Sequence, residues 1–164
     1  MPPGLAAITI VHVMLSLVGI GSGIVVLFGM LAGRAFDRWT GIFLWSTALT
    51  SATGFLFPFE KLLPSHILAI LSLILLAVAI PAIYIKHLAG AWRRIYVVTA
   101  MLCLYFNVFV LIVQLFEKVP ALKELAPTQS EPPFAVTQLI VLVAFLGLIV
   151  LAAVRFRPAP VRAA

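Results

Sequence analysis

Residues 134–154 read FAVTQLIVLVAFLGLIVLAAV, 21 positions without a charge. A bilayer core of roughly 30 Å takes about 20 residues of α-helix to cross. Membrane strands are shorter and alternate in polarity, so this stretch predicts a spanning helix. Four further runs have the same character: 5–32, 39–57, 65–85 and 95–116. The expected fold class is all-α, a polytopic membrane helical bundle of five transmembrane helices, with residues 1–164 forming a single transmembrane domain. Composition agrees: 64% of the chain is apolar and 10% is charged, against roughly 45–50% and about 25% in ordinary globular chains. A soluble protein this apolar could not cover its surface with polar groups.

The first run exceeds what a bilayer needs, so it should tilt or protrude. It opens without Lys or Arg and is longer than a signal-peptide core, so it reads as a retained helix. Gly33-Arg34 closes it, Pro58 closes the second run and Pro64 precedes the third. Ser65 is the expected N-cap of the third helix, its hydroxyl oxygen accepting a free backbone N–H. Pro81 removes a backbone donor late in that helix and predicts a kink near 77–81. Gly90 separates the third and fourth runs. Residues 117–133, with Pro120, Pro127, Pro132 and Pro133, predict a short amphipathic turn followed by a proline-stiffened strap.

Lys and Arg in short loops set orientation. Arg34, Arg38, Lys86, Arg93, Arg94, Arg155, Arg157 and Arg162 fall on one side, and Lys61, Lys118 and Lys123 on the other. The richer side is expected in the cytoplasm, with the N-terminus outside and the C-terminus inside. Trp39 and Trp92 fall at the inner boundary, where indole rings favour the interface. The net charge of +6 is thereby accounted for by topology; no basic cluster with interleaved aromatics points to nucleic acid.

Lipid offers no hydrogen bonds, so polar side chains within spans should face protein. At 100° per residue, His12, Ser16, Gly19 and Gly23 fall within about 60° on the first helix. Gly19-x-x-x-Gly23 and Gly29-x-x-x-Gly33 let another backbone approach closely, in packing or in dimerisation. The second helix offers Thr47, Thr50, Ser51 and Gly54, and the fourth Tyr96, Thr99, Cys103, Asn107 and Gln114. With the expected topology, His12, Ser16, Thr50, Ser51, His66, Asn107, Gln114 and Gln138 share the outer half of the bundle. They are the candidate lining of a polar ligand pocket, beside the plainer reading that each bonds to a neighbouring helix.

His12 and His66, at similar depth on different helices, could also ligate a haem iron axially. His87, at the inner end of the third helix, complements that helix's C-terminus as a cation. No Asp or Glu lies within a span, which disfavours a proton-coupled pump, since such pumps place ionisable groups in the membrane. There is no HExxH, GxSxG or GxxxxGK[ST]. The single Cys103 allows neither a disulfide nor a CxxC site; within a span it reads as packing.

At Phe55–Phe59 (FLFPF), Leu63–His66 (LPSH), Tyr105–Gln114 (YFNVFVLIVQ) and Leu125–Phe134 (LAPTQSEPPF) the chain resembles a family of small bacterial polytopic integral membrane proteins. The likeness implies the bacterial cytoplasmic (inner) membrane and a multi-pass topology, and it brings no known activity with it. The function expected is therefore that of a non-enzymatic protein in the lipid bilayer, binding a small ligand in its outer-half pocket or serving as an accessory subunit. The alternatives are a haem-b electron carrier using His12 and His66, and a small channel or carrier. A homo-oligomer or a larger membrane complex is the expected assembly, with no nucleic-acid partner.

Overall fold

The computed structural model describes residues 3–57 and 64–158. Its elements are helices α1 (Pro3–Leu31), α2 (Asp37–Thr53), α3 (Pro64–Tyr84), α4 (Trp92–Lys118), α5 (Pro120–Leu125) and α6 (Pro132–Arg155). A 3-10 turn over Gly54–Leu56 continues α2. The chain is all-α among the described residues. Four helices, α1, α3, α4 and α6, are long and apolar enough to cross a membrane.

α2, expected as a fifth span, is not among these four. It has 17 residues, about 26 Å at 1.5 Å per residue, short of a bilayer core. It also carries Asp37 and Arg38 in its first turn and a series of hydroxyls from Thr40 to Thr53. Ser65 is not the cap of α3 either. The helix already includes Pro64, whose fixed φ suits a first turn and whose missing N–H costs nothing there. Pro81 lies in the last turn of α3, and its carbonyl accepts the N–H groups of both Ile85 and Lys86.

α1 and α2 form an antiparallel hairpin, and the turn between them is closed by its glycines. Gly33 (φ +70°) donates its N–H to Met30 O, and Arg34 donates to Gly29 O. This paired pattern ends a helix when its following residue turns left-handed. A Cβ on Gly29 would lie 2.7 Å from the Phe36 ring. The second glycine pair thus serves the chain's own turn, not a facing helix.

The first pair does receive a neighbour. A Cβ on Gly23 would meet Leu104 at 2.6 Å and Phe43 at 2.9 Å. The bare backbone lets α2 and α4 close on α1 there. α4 is the central helix, touching α1, α2, α3, α5 and α6. Its face of Tyr96, Val97, Ala100, Met101 and Leu104 is fully buried against Phe43, Leu76 and Ile149. A smaller apolar cluster of Ile112, Phe116 and Ala126 sits where α5 folds back over the end of α4. α5 is a short helical turn of six residues, and the proline-rich segment expected as a strap leads from it to α6.

The two ends of the bundle differ in charge. Gly33 reaches Arg155 O, Tyr84 Oη approaches Gly41, and Arg93 donates to carbonyls at the end of α6. One end therefore gathers Arg34, Arg38, Lys86, Arg93, Arg94, Arg155 and Arg157, with Asp37 the acid among them. The opposite end holds Lys118 and Lys123 beside Glu117, Glu124 and Glu131. Lys61 and Arg162 lie outside the described residues.

Candidate functional site

The candidate site is built from residues of α1, α2, α3, α4 and α6 at and above the middle of the bundle, on the side away from the basic end. His12 reaches across from α1 to the end of α2, its Nδ1 3.0 Å from Thr53 Oγ1. The Thr53 hydroxyl also lies 3.1 Å from Thr50 O, so it links the imidazole to the backbone of α2, with donor and acceptor roles set by the tautomer of His12. Phe57 presents itself at right angles to the imidazole, with centroids 5.2 Å apart. His66, only 5% exposed, stacks on Phe55 at 5.8 Å. Both histidines thus bear on residues 53–57, the end of α2 and the turn that continues it.

Nearer the middle, Asn107 Nδ2 donates to Thr47 Oγ1 at 3.1 Å. Gly19 is what admits this pair: a Cβ there would lie 3.3 Å from Thr47 Oγ1 and 3.5 Å from Asn107 Nδ2. α1, α2 and α4 meet at that point. Gln138, on α6, donates Nε2–H to Phe109 O of α4 at 3.3 Å, and its buried Oε1 has no partner among the described residues. Thr50 and Ser51 are buried, and Thr50 Oγ1 likewise has no partner among the described residues. Ser16 and Gln114 are half-buried, and neither takes part in a hydrogen bond among the described residues.

The arrangement is a set of separate helix-to-helix contacts: α1 to α2 through His12, α2 to α4 through Asn107, and α4 to α6 through Gln138. Each satisfies a polar group that lipid would leave bare. The space nearest to them is a recess of about 210 Å³ between α1 and the end of α2, lined by Ala7, Ile8, Val11, Thr53 and Leu56. It is apolar throughout, and neither imidazole lines it. Among the described residues no group of three or more His, Cys, Asp or Glu could hold a metal ion.

Three features escaped the sequence. Arg93 Nη1 donates to Ala153 O at 3.1 Å and to Phe156 O, pinning the end of α6 to the start of α4. Tyr96 is 1% exposed beside Phe156, with its hydroxyl buried on the side of Thr40. In the strap, the Glu131 carboxylate accepts from Thr128 N–H and Oγ1–H and from Ser130 N–H. Desolvation raises its pKa, but hydrogen bonds from the Thr128 hydroxyl and from the backbone of Glu131, Thr128 and Ser130 outweigh that and hold it below the usual carboxylate value. The clue to this last feature was visible as Thr128-x-x-Glu131, a capping-box spacing. Cys103 is buried, with Sγ directed to Ser72 O at 3.7 Å, as its packing role requires.

Comparisons with protein-family models, with curated proteins and with solved structures find no match to this chain.

Proposed function

We propose that this chain is a non-enzymatic membrane protein, bacterial and of the cytoplasmic membrane, that holds a small apolar ligand at its outer end and works as a binding or accessory subunit. In this reading α2 also crosses the bilayer, the N-terminus is outside and the C-terminus inside. Two quantities support the crossing. α2 gives about 26 Å, and the three residues of the 3-10 turn add about 6 Å at 2.0 Å each. Along its whole length α2 follows α1, from Phe36 at Gly29 to Thr53 at His12.

The observation that carries the ligand reading is the recess itself. Its volume of about 210 Å³ falls below the roughly 300–1,000 Å³ of drug-sized sites. It exceeds the roughly 150 Å³ that suffices for a benzene ring in an apolar cavity. A single-ring or short-chain apolar molecule fits its wholly apolar lining. A haem would need a space flanked by both imidazoles, and neither lines the recess. A channel would need polar side chains free to face a pore, whereas His12, Asn107 and Gln138 are engaged in interhelical bonds.

Fluorobenzene is a suitable probe, followed by saturation-transfer NMR on the detergent-solubilised protein. Wild type should transfer saturation to the probe. Ala7→Phe, which fills the recess, should cut that transfer by more than half at unchanged thermal stability. Equal transfer in both proteins would sink the ligand reading, since micelle partitioning is common to both.

A further inference from the structure

The basic end presents a set of exposed cations. Arg34, Arg38, Lys86, Arg94, Arg155 and Arg157 are all exposed there. Among the described residues none of them is paired with a carboxylate. Two are turned onto aromatic rings: Arg34 lies over Phe36 at 5.3 Å and Lys86 over Trp92 at 5.7 Å. Arg93 is committed to the carbonyls of α6. Arg94, the next residue, has no such bond.

Arg94 stands at a cleft of about 470 Å³ lined by Gly90, Ala91, Arg93, Arg94 and Ile95, a volume within the range of small-molecule sites. The walls on either side of this end are apolar and open, with Ile85 and Val154 each more than 60% exposed and Val98 exposed as well. A molecule suited to both features has an anionic head and apolar tails.

We propose that this cleft seats the phosphate of an anionic phospholipid, with Arg94 as the recognising side chain and the acyl chains along the exposed apolar residues of this end. Basic pockets next to membrane spans bind such headgroups through charge at close range. The exposed apolar walls favour a lipid over free phosphate, which would gain nothing from them. The inference does not depend on which side of the membrane the basic end faces, nor on the recess at the opposite end.

Native mass spectrometry of the detergent-solubilised full chain tests it, with phosphatidylglycerol and phosphatidylcholine of equal chain length. Phosphatidylglycerol adducts should exceed phosphatidylcholine adducts. Arg94→Gln should reduce them about fivefold, the factor one near-surface cation carries. Arg94→Lys should keep most of the binding, and Arg157→Gln should change it less than twofold. A thermal melt confirms that each exposed-site variant is folded. Equal losses in Arg94→Gln and Arg157→Gln would mean diffuse charge attraction and overturn the site. Displacement of the lipid by 10 mM inorganic phosphate (about that concentration suffices for a weak anion site by simple mass action) would reassign it to the free anion. No preference between the two lipids would overturn the proposal altogether.

Discussion

Gly23 and Gly21 are two residues apart and have opposite surroundings. A Cβ on Gly23 would press into Leu104 and Phe43 at under 3 Å, while one on Gly21 would meet nothing within 4 Å. Gly23→Ala should destabilise the bundle by about 1–3 kcal/mol, the usual cost of forcing extra volume into a packed contact. Gly21→Ala should be neutral or slightly stabilising, because it removes glycine's freedom in the middle of a helix. Thermal unfolding in one detergent checks both, and equal effects would contradict the packing. Spacing alone marked Gly19 and Gly23 as contact glycines, since four residues apart on a helix share a face. It could not separate them from Gly29 and Gly33, which have the same spacing and close a turn instead. That distinction depends on Phe36, whose return path the helical period does not encode. Asn107 was legible as an inward residue; its partner Thr47 was legible only as one of several hydroxyls.

At the scale of elements, the strap between α5 and α6 is a local device. The Glu131 carboxylate gathers Thr128 and Ser130 just before α6 starts. Its pKa is depressed in the folded state, so the stabilisation it gives is present above the unfolded pKa. It is lost as pH falls through the folded value, since protonation removes the acceptor charge. The protection factors of residues 126–131, their exchange rates relative to an unstructured chain at the same pH, should therefore fall on acidification below the ordinary carboxylate range, and Glu131→Gln should lower them already at neutral pH and flatten the pH response. A response unchanged in Glu131→Gln would rule the carboxylate out. The prolines at 120, 127, 132 and 133 made this element readable, because proline favours loops and the first turn of a helix over a helix interior. α2 was less readable. Its run from 39 to 57 has the length of a span, but the regular helix stops at Thr53 and tightens into a 3-10 turn, a change that hydropathy cannot register.

For the whole molecule, the charge count separated two ends before any packing was known, and the structure gathers those basic residues at one end. The orientation in the membrane is a separate matter, and a reporter-fusion map decides it. Fusions at residue 34 and at the C-terminus should report the cytoplasm, and a fusion in the strap should report the outside. A C-terminus found outside, with the residue-34 fusion in the cytoplasm, would return the count of crossings to four. The gathering of polar residues away from the basic end was visible as depth along each helix. Its division into separate pairs was not, because pairing depends on how the helices are rotated against one another. The recess depends on side chains from α1 and α2 that leave space unfilled, and no periodicity announces a gap.

The Arg93 clamp has a consequence for synthesis. Its acceptors, Ala153 O and Phe156 O, lie 60 and 63 residues further along the chain. A ribosome feeding this protein into the bilayer, under the proposed topology, completes the start of α4 long before those carbonyls exist. Throughout that interval the guanidinium has water and headgroups as its partners, and a charge so placed resists being drawn through the hydrocarbon. Arg93 thus acts first as an anchor that keeps the α3–α4 turn at the cytoplasmic surface. Only when the last helix arrives does the same side chain become the bolt that fastens it.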